Sequence, residues 1–155
     1  MDSFGVAAEL AACIASALPD ISTVVAAPDT HLAFLCPQNC DEQQPVWITI
    51  DSVVGGANTS WATSRGCSDD YSLDATVTYA SCFSEVSKKT GATVVLKDQM
   101  FLEDYAQEFY GFMDALVAAV KCCEWWSVNR MVVRRDGNCV IGEISATRLN
   151  LSVCC

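Results

Sequence analysis

The chain is poor in basic residues, in histidine and in long apolar runs, and each scarcity excludes something. Nine lysines and arginines stand against nineteen acids, for a formal charge of −10. Gripping DNA needs rows of Lys or Arg to displace counterions from the phosphates, so this balance argues against a phosphate-binding surface. An acidic surface still suits a wall that DNA passes without specific binding, and it also keeps a protein in solution. No apolar run approaches the roughly 18 to 20 residues that cross a bilayer, so no membrane partner is expected. The opening Met1-Asp2-Ser3-Phe4-Gly5 carries an acid where a signal peptide carries bases, and Glu9 interrupts the apolar stretch behind it. A soluble chain without a targeting segment is the expectation.

Catalytic signatures are equally scarce. His31 is the only histidine, and neither a G-x-S-x-G elbow nor a cysteine in an activating sequence accompanies it. The acidic pairs Asp69-Asp70 and Glu103-Asp104 read as solvated side chains. Gly55-Gly56 lacks the spacing and the trailing lysine of a phosphate loop. No enzyme and no cofactor are expected. The one metal-ligating set is His31, Cys36, Cys40 and Cys67, which has the thiolate and imidazole chemistry of zinc. Its H-x4-C and C-x3-C spacings are looser than a C-x2-C knuckle, and Cys67 is remote, so no metal site is expected. A disulfide among Cys36, Cys40 and Cys67 is the alternative in oxidising surroundings.

What the chain has in excess is cysteine: ten of them. In a secreted domain that number implies a disulfide framework. Here a core rich in Val, Leu, Ile, Phe and Trp makes such a framework unnecessary. The adjacent pairs Cys122-Cys123 and Cys154-Cys155 can bridge only with strain. Most of the ten therefore read as reduced, buried hydrophobes. Asn58-Thr59-Ser60 and Asn150-Leu151-Ser152 fit the glycosylation pattern by chance, in the absence of a secretory signal. Trp125-Trp126 reads as a core closure, because base stacking wants more basic neighbours than Lys121 and Arg130.

With 155 residues the chain suits one domain with one core, spanning 1–155. Residues 3–18 read as a helix, capped by Asp2 or Ser3, with Val6, Leu10, Ile14 and Leu18 at helical spacing and Pro19-Asp20 as the stop. Ile21 to Val25 and His31 to Cys36 read as short extended pieces. Val46 to Val54 is a strand, with Val46, Ile48 and Ile50 on one side and Trp47 and Thr49 on the other. A long polar loop follows over 55–70, with Trp61 as its odd residue; loops of that length are commonly functional or mobile. Leu73 to Ser87 alternates as a strand, turns at Lys88-Lys89-Thr90-Gly91, and returns over Ala92 to Leu96, a possible projecting hairpin within 80–97.

Asp98 then caps a helix to about Cys123, with an apolar stripe of Phe101, Tyr105, Phe109, Phe112, Met113, Leu116, Val117 and Val120. Ser127 to Arg135 is a strand, Asp136-Gly137-Asn138 a tight turn, and Cys139 to Val153 the closing strand. Apolar phase changes inside that last strand, predicting a bulge near Ala146-Thr147. The fold class is α+β: an antiparallel or mixed sheet packed by an N-terminal helix and one long helix, ending in a hairpin.

The helix FMDALVAAV, the strand MVVRRDGN and the ending GEISATRLNLSV resemble the close of the lambda-type tail terminator family of long-tailed bacteriophages. The N-terminal helix and its extended follower are similar to that family's opening. The resemblance implies a structural virion protein of the tail and neck, made in the host cytoplasm. It implies a self-assembled ring of six copies that caps the tail tube protein, stops its polymerisation and meets the head-tail connector protein, with DNA passing through. Rings require heterologous contacts between unlike patches. The candidate interface residues are Trp61 and Arg65 in the long loop, Lys88, Lys89 and Thr90 in the hairpin, and Arg134, Arg135 and Asp136 at the last turn. Rival readings are another tube or connector protein of the same particle, or a secreted acidic cysteine-rich binding domain.

Overall fold

In the computed structural model, which describes residues 2–21, 23–27, 45–55, 68–82, 99–136 and 139–153, the first element is helix α1 (Ser3–Ala17). Asp2 caps it: the Gly5 amide donates to Asp2 Oδ1 at 3.0 Å, satisfying one of the free N–H groups of the first turn. Val6, Ala7, Leu10, Ala11 and Ile14 are buried, the face that their helical spacing sets. The helix ends where Leu18 leaves helical geometry just before Pro19.

Strand β1 (Val24–Ala26) runs parallel to β2 (Val46–Gly55), pairing Val24 with Val46. Strand β3 (Ser68–Cys82) returns antiparallel beside β2. Helix α2 (Gln99–Cys122) then carries the chain to β4 (Trp126–Asp136) and β5 (Cys139–Val153). Strand β5 inserts between β3 and β4, so the spatial order is β1-β2-β3-β5-β4. The fold is α+β with a five-stranded mixed sheet. Strand β3 starts at Ser68, so positions 68–70 belong to the sheet and the expected loop is shorter at that end.

Both helices cover the same face. Leu10 and Ile14 of α1, Phe109, Met113, Leu116 and Val120 of α2, and Val46, Ile48, Leu73, Ala75, Val77, Ile144 and Ala146 of the strands form one buried cluster. Alternation places these strand residues on one side, as the pleat requires. Tyr79 lies over the rings of Phe109 and Phe112, and Tyr105 donates to Ser81 Oγ at 2.9 Å. Burial pushes the Tyr79 and Tyr105 hydroxyls above their ordinary pKa.

Two details of the sequence reading are corrected. The phase change in β5 exists, but it lies three residues beyond Ala146-Thr147. Leu73 pairs with Arg148 and Tyr71 with Leu151, so Leu149 and Asn150 take up the extra residue, Asn150 at φ 60°. Asparagine is the non-glycine residue best suited to that conformation. Leu149 is consequently exposed, and Leu151 returns to the core. The second correction concerns cysteine: Cys13 and Cys123 form a disulfide, and Cys139 is disulfide-bonded as well, whereas Cys122 is free and exposed. Helical geometry explains the split at the adjacent pair. Cys123 faces α1 from the end of α2, and Cys122 faces away.

Candidate assembly interface

With both helices on one side, the opposite face of the sheet is polar. Register places Trp47, Thr49 and Asp51 of β2, Asp74, Thr76 and Thr78 of β3, Glu143, Ser145 and Thr147 of β5, and Arg130, Val132 and Arg134 of β4 on it. Its side chains hold one another. Thr76 Oγ1 donates to Asp51 Oδ2 at 2.6 Å, Ser52 Oγ to Asp74 Oδ2 at 3.0 Å, and Thr147 Oγ1 to Asp74 Oδ1 at 2.7 Å. Arg134 donates through Nη2 to Glu143 Oε1 at 2.9 Å. Towards one end the face closes, where Ala80, Cys139 and Ile141 are buried with Trp47 beside them. Among the described residues, Trp47 Nε1 and Thr78 Oγ1 are buried there without a hydrogen-bond partner.

Strand β4 is an edge of the sheet, and among the described residues no strand pairs with its outer side. An edge of this kind offers unpaired N–H and C=O groups to another chain. Ser127, Asn129, Arg130, Met131, Val132, Arg134 and Arg135 are all exposed along it. Three of the nine basic residues of the chain stand on this one strand, Arg130, Arg134 and Arg135, so an acidic protein presents a locally basic edge. A bulge falls between Val128 and Arg130, and bulges are one way that edge strands avoid indiscriminate pairing.

A cleft of about 320 Å³ opens where α1, the end of α2 and the start of β4 converge. It is lined by Glu9, Leu10, Cys13, Cys123, Glu124, Trp125, Trp126 and Arg148. The Cys13–Cys123 disulfide is part of its wall, and Arg148 Nη1 donates to Glu9 Oε2 at 2.8 Å. Among the described residues, Arg148 Nε is buried without an acceptor. Trp126 is buried, as expected of a core closure, but Trp125 stands 57% exposed at φ 71°. The tight turn between α2 and β4 forces this: Cys123 N–H donates to the Val120 carbonyl and Trp126 N–H to the Cys123 carbonyl.

Of the residues singled out in the sequence, Arg134, Arg135 and Asp136 fall at the far end of β4. Trp61, Arg65, Lys88, Lys89 and Thr90, and the zinc set His31, Cys36, Cys40 and Cys67, lie outside the described residues. Among the described residues no group of His, Cys, Asp and Glu gathers to hold a metal, and no helix is long and apolar enough to cross a membrane. Sequence reasoning missed Glu9, Glu124, Trp125 and Arg148 as a group. They come from three separate segments, α1, the turn between α2 and β4, and β5, and only the Trp-Trp pair carried a local signal. No family model matches the chain, and no curated protein matches it.

Proposed function

We propose that the chain is a structural, non-enzymatic subunit that works by assembling with copies of itself, as a tail terminator of a long-tailed phage does. In this reading six copies ring the end of the tail tube, stop its polymerisation and offer the surface that the head connector meets. The protein belongs to the virion neck and takes no cofactor. One observation carries the reading: β4, eleven residues long, is a basic sheet edge with no partner strand among the described residues. The formal charge of −10 is compatible with the second half, because a chain of that charge repels passing DNA.

The test is deletion of the gene from the phage that carries it, with the lysate viewed by electron microscopy. Headless tails of excessive, variable length are expected. Full heads without tubes, or tails of correct length left unattached, would transfer the protein to the tube or the connector.

A second reading has its own support. The Cys13–Cys123 disulfide and the bonded Cys139 suit a secreted acidic cysteine-rich binding domain, since such bonds persist in oxidising compartments. A free-thiol count on denatured protein from its native source separates the two. The bonded Cys13, Cys123 and Cys139, with the partner of Cys139, leave at most six of the ten cysteines free, so a value near six favours the assembly subunit and a value near zero the secreted domain.

A further inference from the structure

The outer side of α2, turned away from the sheet, carries a glycine at its middle. Among the described residues, a methyl group added at Gly111 meets nothing within 4 Å, so no contact inside the chain requires the residue to be small. Glycine inside an exposed helix weakens it relative to alanine, because its backbone loses more freedom on folding. A glycine at such a point suits a surface that another chain approaches closely. Exposed acids surround it: Asp104, Glu108 and Asp114 stand at helical spacing on the same side. None of the three makes an ion pair among the described residues. Tyr110, half exposed, stands beside them.

We propose that this side of α2 docks the β4 edge of a second copy of the chain, with Arg130 of that copy lying across Gly111 between Glu108 and Asp114. The proposal rests on the self-assembly reading and gives it a contact. Elimination identifies the cation. Of the described basic residues, Lys121 stands on α2 itself, Arg134 is bound to Glu143, Arg148 to Glu9, and Arg135 is engaged within its own chain. Arg130 is exposed and has no such partner among the described residues. Side forbids the contact within one copy. Arg130 pairs with Ser145 on the face of the sheet away from the helices, whereas α2 packs Met113, Leu116 and Val120 onto the opposite face. Spacing suits the seat. At about 1.5 Å per residue, Glu108 and Asp114 lie roughly 9 Å apart along the axis, room for one guanidinium to reach both. Charge decides against a twofold contact of α2 with α2. An antiparallel pair centred on Gly111 sets Glu108 of one copy against Asp114 of the other, and a parallel pair sets each acid against itself. Both oppose like charges. The outer side of α2 and the edge of β4 are unlike surfaces, so their contact is heterologous, the kind that closes rings.

The experiment uses the full chain at about 0.15 M salt, where net charge is largely screened, with oligomer populations followed by light scattering and sedimentation over a dilution series. Arg130→Glu, and the paired change Glu108→Lys with Asp114→Lys, are each expected to raise the dissociation constant about tenfold or more, as reversing one side of a close charge contact does. Mixing the two variants restores assembly with the copies alternating, because each then meets its complement. Gly111→Gln separates the contact from the fold. Melted by circular dichroism at a dilution where the chain is monomeric, it is expected to unfold at a higher temperature than the parent, since glutamine is the better helix former. It should nevertheless assemble more weakly, because its side chain fills the space that the guanidinium crosses. Charge variants that assemble like the parent, a mixture that fails to recover, or a Gly111→Gln chain that assembles undiminished would overturn the contact and leave the self-assembly reading standing. A parent chain that stays monomeric at every concentration removes both.

Discussion

A methyl group added at Gly142 would run into the thioether end of Met113, which is fully buried. The strand and the long helix meet there without a side chain between them. Methionine is the most adaptable of large side chains, but a buried one has little room to retreat. Gly142→Ala should therefore cost about 1–3 kcal/mol as an overpacked site. Met113→Ala alone should cost about 2–5 kcal/mol through the cavity it leaves. Together they should cost less than the sum, because the methyl group fills part of that cavity. Urea denaturation of the parent, the two single variants and the double variant measures this coupling. Strict additivity would show that Met113 moves aside freely and that Gly142 has another reason to be small. None of this was readable from the sequence, where Gly142 is one small residue in an alternating strand.

At the scale of elements, the disulfide is the feature that most changes the energetics. It joins residues 110 apart, fastening α1 to the end of α2. Closing a loop of that size removes denatured-state entropy worth about 4–5 kcal/mol in the chain-entropy account. Reduction of the native protein, or paired Cys13→Ala and Cys123→Ala substitution, should lower the urea midpoint by a corresponding amount, with the fold retained. An unchanged midpoint would mean that α1 is held by its apolar face alone. The elements themselves were legible: α1, β2, α2, β4 and β5 lie within two residues of their expected bounds, because Val6, Leu10 and Ile14, or Val46 and Ile48, repeat at periods that only one structure satisfies. The partner of Cys123 was not legible, since pairing depends on which face of α2 meets α1. The bulge was detected by its change of phase but misplaced, because Thr147 and Arg148 are polar and give no phase of their own. Of the candidate interface, the Arg134-Arg135-Asp136 end was visible as a motif. The cleft was not, for Glu9 and Arg148 are brought together across 139 positions of sequence.

For the whole molecule, the charge of −10 sets a condition on any assembly of identical copies. Each copy repels the next over a distance governed by salt: the Debye length is about 30 Å at 0.01 M and about 8 Å at 0.15 M. The first is comparable with the length of β4, so at low salt whole subunits feel one another's net charge. At physiological salt only groups in near contact do. Close charge pairs at a contact between copies are partly desolvated and are screened less than that diffuse repulsion. Self-association should therefore tighten as ionic strength rises from 0.01 M to 0.15 M, and flatten or weaken slightly beyond it, where the close pairs begin to be screened. Sedimentation equilibrium across that range reads the trend directly. Association that weakens steadily from the lowest salt upward would mean that attraction between complementary charges outweighs net repulsion even at long range. The assembly would then depend on the basic edge of β4 far more than its three arginines suggest.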